Sequence, residues 1–186
     1  MRTRLPHKPL TWVVVAVVGA GAAFGLFWFQ PWKLVTDTEV HEQLTAIESV
    51  APAPLPSGAP SATSAPAGPT LVGRGDFVAH EHDTTGSARL VRRADGRFRL
   101  ELVGLVTSNG PDLQVWLTDQ PVRTGPSGWK VFDDGRRVEL GPLKGNRGDQ
   151  AYDLPAGTDV TGLTSVAIWC ERFAVSFGAA PLDPTG

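Results

Sequence analysis

From Leu10 to Phe29 the chain reads LTWVVVAVVGAGAAFGLFWF, about 20 residues without a charge, long enough as a helix to cross the roughly 30 Å of a bilayer's hydrocarbon. Arg2, Arg4 and Lys8 precede the run, so the positive-inside tendency keeps the short N-terminus, residues 1–9, in the cytoplasm and sends everything after Trp32 across. Trp28, Phe29 and Trp32 suit the far interface. A cleaved secretory signal shares the charged start and apolar centre, but the run closes on Phe, Trp, Phe, Gln, Pro and Trp instead of a small-residue cleavage pattern. The expectation is a single-pass anchor at 10–29 in the cell membrane, with the C-terminal domain extracytoplasmic.

Beyond the anchor the chain divides by composition. Within residues 30–50, Thr36 with Glu39 forms a capping-box pattern, and Val40, Leu44 and Ile47 recur at helical spacing, predicting a short helix with one narrow apolar stripe. Residues 51–69, APAPLPSGAPSATSAPAGP, carry no apolar periodicity and predict an extended linker. At about 3.1 Å per residue it would hold the domain up to roughly 60 Å from its anchor. A folded domain follows at 70–182, with a tail at 183–186. The formal net charge of -2 leaves no electrostatic footprint for a nucleic-acid partner.

The domain's pattern is alternation. Phe98, Leu100 and Leu102 face one way against Arg97, Arg99 and Glu101; Leu113, Val115 and Leu117 oppose Gln114, Trp116 and Thr118. Asp95-Gly96 marks a two-residue hairpin. Further strands are expected near Phe77, Val138 and Tyr152, and at Ser165 to Cys170 and Phe173 to Phe177. The fold class is all-β: an antiparallel β-sandwich of seven to eight short strands with Greek-key-like connections.

Cys170 is the single cysteine. Outside the cytoplasm an unpaired thiol is buried and inert, joined to another molecule, or kept for redox chemistry. With Glu171 and Arg172 as a turn, Cys170 would oppose Phe173, Ile168 would oppose Val175 and Val166 would oppose Phe177. Cys170 then ends an apolar stripe, beside a rim where a partner thiol or metal would reach it, while Trp169 points to the other face. Packing and reactivity both stay open here.

Four stretches in order carry a family resemblance: EHDTTGSARLV at 81–91, SNGPDLQVWLTD at 108–119, VELGPLKGN at 138–146 and SVAIWCERFAVSFGAAPL at 165–182. Together they resemble the DM13 domain, the "electron transfer DM13" family, over about 72–182. FQPWKLVTDTEVHEQL is similar to the membrane-proximal part of bacterial members. The resemblance implies a β-rich domain with a proposed redox role, its characteristic cysteine at Cys170 and its histidine position at His82.

Other candidate residues are weighed beside it. His80 and His82, two apart, would project to one face of a strand beside Glu81 and Asp83, and His82 with Cys170 is a candidate metal pair. Gly110-Pro111-Asp112-Leu113 reads as a turn, with Asp112 as a lesser ligand candidate. Trp116 and Trp169 would form either an aromatic contact surface or a second layer. The Arg-Gly-Asp triplets at 74–76 and 147–149 carry little weight. Gly-x-Ser-x-Gly and His-Glu-x-x-His are absent from the sequence. Covalent heme through Cys-x-x-Cys-His needs a second cysteine, which leaves a metal or a noncovalent heme as the cofactor options. The functional expectation is a membrane-anchored electron-transfer module, rather than a classical enzyme, that meets a redox partner protein through Cys170. The alternative is a noncatalytic envelope-associated binding domain in which Cys170 is structural and Trp116 or Trp169 meets the partner.

Overall fold

Alternating side chains need two covers, and the chain supplies them by folding its strands into two facing sheets. The computed structural model describes residues 9–47 and 68–185. Among these, one sheet runs in the order β1 (Glu39–His41), β8 (Arg147–Asp153), β5 (Phe98–Val106), β4 (Thr85–Arg92), β2 (Thr70–Asp76) and β11 (Asp183–Pro184). The other runs β3 (Val78–Ala79), β10 (Val175–Pro181), β9 (Ser165–Cys170), β6 (Leu113–Thr118) and β7 (Arg137–Pro142). All pairings are antiparallel except β1 with β8. The expected sandwich stands: eight of the described strands have six or more residues, and the short β1, β3 and β11 trim the edges.

Leu90, Leu100, Leu102, Leu113, Val115, Leu117, Val166 and Ile168 fill the space between the sheets. Each such side chain contributes roughly 1.5–3 kcal/mol on full burial. Behind β6, β9 and β10 lies a second apolar cluster of Trp116, Trp169, Ala167, Ala179 and Phe132, the last from the 119–136 connection. Trp116 and Trp169 stack with centroids 5.0 Å apart, and Phe132 meets Trp169 edge-on. Both tryptophans are buried, so they form the second layer and not an exposed contact surface.

The expected helix over Thr36 to Ile47 is replaced by β1, which pairs in parallel with β8. Three apolar residues give a helix too little to bury, whereas extended backbone gains partners. Asn146 Oδ1 accepts from the Thr38 N–H at 2.7 Å, and Asn146 Nδ2 donates to Asp37 and to the Thr107 carbonyl. Glu42 accepts from Lys144 Nζ and from the Ala151 N–H. Gly148, at φ +94°, lets β1 approach, since a Cβ there would meet the Val40 carbonyl. Farther on, the Thr45 N–H and hydroxyl both donate to Glu101 Oε1, and Arg89 Nε donates to Glu101 Oε2 at 2.6 Å. Residues 38–45 thus belong to the sandwich. Of the Pro/Ala/Ser stretch at 51–69, all but 68 and 69 lies outside the described residues, and the chain before and after the gap joins one sheet.

Two hairpins differ in detail from their expected form. At Asp95-Gly96 the loop has three residues, not two: Arg93 N–H donates to Arg97 O, Gly96 N–H donates to Arg93 O, and Gly96 sits at φ +80°. At the Cys170 hairpin the turn spans four residues, 171–174, and Cys170 opposes Val175 instead of Phe173. Ala174 at φ +49° completes that turn. A bulge at Phe177 then places Ile168 opposite Gly178 and Val166 opposite Ala180.

Glu101, expected on an outward face, has 0% exposed side chain, while Arg89 retains 23%. Breaking a buried pair costs about 3–5 kcal/mol because the surviving charge is stranded. With Arg89 partly solvated, Glu101→Ala is expected at the low end, a loss of about 3 kcal/mol. Denaturant unfolding followed by tryptophan emission checks this, with Glu101→Gln losing less because it can still accept from Thr45.

Candidate functional site

The Phe177 bulge assembles one end of the sandwich. Its carbonyl, released from ladder pairing, accepts from the His80 and His82 N–H groups and from the Thr84 hydroxyl. Gly178 permits this approach, because a Cβ would collide with Thr84. The bend at 80–84 is thereby pinned beside β10, and its two histidines diverge. His80 is buried and turns toward the second cluster, its Nδ1 2.9 Å from Ser176 Oγ and its ring stacked on Phe132. Burial holds its basicity below the usual imidazole range, opposed by the Arg123 backbone. His82 stays at the rim, stacked on Phe177 at 3.8 Å. The expectation that both project to one face fails because β3 ends at Ala79 and the chain bends before His80.

The 109–112 loop enters the same end. Asn109 Oδ1 accepts from the Gly110 N–H, and Asn109 Nδ2 donates to the Thr36 carbonyl. Gly110 lies close to Phe177 and Leu113, where a Cβ would crowd the Phe177 ring and the Leu113 branch. Asp112 Oδ1 accepts from Gln114 Nε2, and the Asp112 carbonyl accepts from the Glu171 N–H at 3.0 Å. That last bond ties the loop to the cysteine turn. His82, Asp112 and Cys170 therefore share one end, while Trp116 and Trp169 lie behind the sheet.

Cys170 itself is sealed. It is the last residue of β9, cross-strand to Leu113 and Val175, with 0% of its surface exposed. Burial pushes its thiol pKa above the usual value; the Phe173, Arg172 and Asp112 backbones oppose this, and the Asp112 charge adds to it. A thiol so placed is protonated at neutral pH and offers no resting nucleophile. For a metal, the donor set is thin: among the described residues no group of three or more His, Cys, Asp or Glu side chains converges.

The turn that covers Cys170 meets the apolar helix. α1 (Pro9–Phe29) is uncharged and long enough to cross a membrane. Past it, Gln30 takes φ +45° and leads into a 3-10 turn at Pro31–Val35. Arg172 donates to the Trp28 carbonyl and lies over its ring, 5.0 Å from the centroid. Phe173, 43% exposed, stacks on Phe29 at 6.1 Å. Between helix end and rim is a cavity of about 250 Å³ lined by Phe29, Pro31, Lys33, His82, Pro111, Phe173 and others. A second cavity of about 290 Å³ lies on the far side of the 109–112 loop, against Asp112 and Lys144.

Sequence reasoning missed this helix-to-turn contact and the Lys144-Gly145-Asn146 clamp. The first had a signal in the aromatic end of the apolar run and in Phe173 after a charged pair. The second had none, since its partners are more than a hundred residues away. The Arg-Gly-Asp triplets sit in strands β2 and β8; Asp149 accepts from the Gly104 N–H, and Arg147 pairs with Asp37.

A family model described as electron transfer DM13 matches residues 76–182. No curated protein and no solved structure matches the chain.

Two measurements on Cys170 follow from its surroundings. Maleimide labelling at pH 7 is expected to be on the order of 100-fold slower in the native protein than in the unfolded chain. A thiol pKa raised by folding means that the native state holds its proton more tightly. Its stabilising contribution is complete below the unfolded thiol value of about 8.5 and is lost as pH rises above it. Burial raises the Tyr152 phenol as well, so the thiol part is read as a difference. Unfolding free energies of the Cys170→Ala variant should fall less steeply between pH 8 and 10 than those of the parent.

Proposed function

This chain belongs to the electron transfer DM13 family, and from that premise we propose that it is a membrane-anchored, extracytoplasmic module of electron transfer whose working end is the Cys170 rim. One observation carries the reading: His82, Asp112 and Cys170 all lie at the end of the sandwich that abuts the C-terminal end of α1. Anchoring is supported by the apolar length of α1 and orientation by Arg2, Arg4 and Lys8 before it. A working end set against the helix exit faces lipid-soluble carriers and the flanks of neighbouring membrane proteins alike.

The burial of Cys170 discriminates among its chemistries. A mixed disulfide needs a thiolate that the partner's sulfur can touch, which the closed 171–174 turn denies. Transfer without bond formation has no such need, since an electron crosses a few packed side chains. In this reading Cys170 stays a protonated thiol that shapes the interior of the rim by packing, and the partner meets the surface around His82 and Phe173. Because no three metal ligands converge among the described residues, a resident metal is the weaker form of this reading.

A second reading has its own support. Complete burial and a raised thiol pKa are what a small core-filling cysteine shows, and they favour a noncatalytic interaction domain.

The full chain in lipid nanodiscs separates the two. The electron-transfer reading expects a reversible voltammetric signal, or a chromophore or stoichiometric metal, that Cys170→Ala abolishes or shifts without moving the unfolding midpoint by more than a few degrees. A redox-silent, colourless and metal-free protein would leave the interaction domain as the function.

A further inference from the structure

We propose that the cavity between the end of α1 and the sandwich rim binds the ring of a membrane-soluble quinone. The choice of a redox-active ring over other flat apolar molecules rests on the electron-transfer reading above. So does entry from lipid, which needs α1 to be the membrane anchor; the cavity's place in the fold does not. It opens where an apolar helix flanked by Trp28 and Trp32 gives way to the folded domain, so a ligand dissolved in lipid would reach it without crossing water.

The lining suits such a ring. Phe29 and Phe173, already stacked on each other, and Phe177, stacked on His82, present aromatic surfaces on two sides, and Pro31 and Pro111 add apolar edges. Polar groups are few and mixed in kind, as expected of a site that orients its ligand. Lys33, which makes no ion pair among the described residues, and the His82 ring offer donors to quinone carbonyls, which only accept. Glu81 offers an acceptor for the hydroxyls of the reduced ring. At about 250 Å³ the cavity falls just below the ~300 Å³ where drug-sized pockets begin. One or two fused rings fit, and an isoprenoid tail would stay in the bilayer.

The walls come from four separate pieces of chain, each fixed by a contact already described. The Arg172 bond to the Trp28 carbonyl holds the helix end, the Phe177 carbonyl holds the 80–84 bend, and the bond from the Glu171 N–H to the Asp112 carbonyl holds the proline loop. The cavity is therefore part of the fold and not a gap between loose parts.

The test uses the full chain in phosphatidylcholine nanodiscs and 2,3-dimethyl-1,4-naphthoquinone, whose blocked ring positions prevent addition to a thiol. Calorimetric titration should show saturable binding beyond that of empty discs. Phe173→Ala and Lys33→Met should each weaken it by about fivefold, and Lys33→Met, which removes no packing contact of the sandwich, should do so with the unfolding midpoint unchanged. No excess binding, binding by both variants as tight as that of the parent, or displacement by equimolar palmitate would overturn the site as a quinone site, the last marking a general lipid crevice. The two readings fail separately. Ring binding in a protein without a voltammetric signal would keep the site and remove electron transfer; a signal without ring binding would do the reverse.

Discussion

Strand β9 is buried on both faces, and that constraint shapes the molecule. Its six residues, SVAIWC, have no exposed member. Val166, Ile168 and Cys170 point between the sheets, while Ala167 and Trp169 point into the second cluster. A strand with no wet face needs cover on each side. The facing sheet supplies one cover, and the 119–136 connection, through Phe132, Val122 and Val131, supplies the other. Such a strand has a fixed register, because a one-residue slip would drive Trp169 into space shaped for Ile168. Cys170 inherits that rigidity. Its position is set by the packing of its neighbours on both sides and not by a site built around the sulfur.

The second organising contact is the capture of residues 38–45 by β8 and β5. Asn146, Lys144 and Glu101 each spend a charged or multivalent polar group on the backbone or side chains of this segment. Glu101 is the costliest of the three, since a carboxylate without exposed surface needs several donors to offset lost hydration. It has three, from Thr45 and Arg89. Only a few residues separate this clamp from α1, so the sandwich follows the helix exit directly. The end of the sandwich that carries Arg172 and Phe173 is thereby held against the residues where α1 terminates.

What was legible in the sequence follows from the range of the interactions involved. Period-two alternation is local, and the cores built from Leu100, Leu102, Leu113, Val115 and Leu117 came through. β9 begins and ends where its composition placed it. The short helix at 36–47 did not form, because its capping pattern competed with hydrogen bonds to Asn146 and Glu101 that no local reading reveals. The four-residue turn and the Phe177 bulge were likewise hidden. Both depend on Phe173 leaving the sheet to stack on Phe29, a partner 144 positions earlier, and on the 80–84 bend claiming the Phe177 carbonyl. Trp116 and Trp169 illustrate a further limit: facing away from a core stripe means exposure only where nothing else packs there, and here a loop does.

The candidate site was legible as residues but not as an arrangement. His82, Asp112 and Cys170 could be named, yet their shared end arises from the bulge, the Glu171-to-Asp112 bond and the docking of the 171–174 turn against α1. This separation of roles orders the chemistry. Cys170 lies inside the rim with a raised thiol pKa, and its contribution is to a sealed interior. The surfaces that a second molecule can touch are one layer farther out, on His82, Phe173 and Lys33. Phe173 and Phe177 both line that cavity, and Phe177 also belongs to the core behind it. The physical consequence is a layering at one end of the sandwich, with the cavity at the helix junction and the sulfur kept dry behind it.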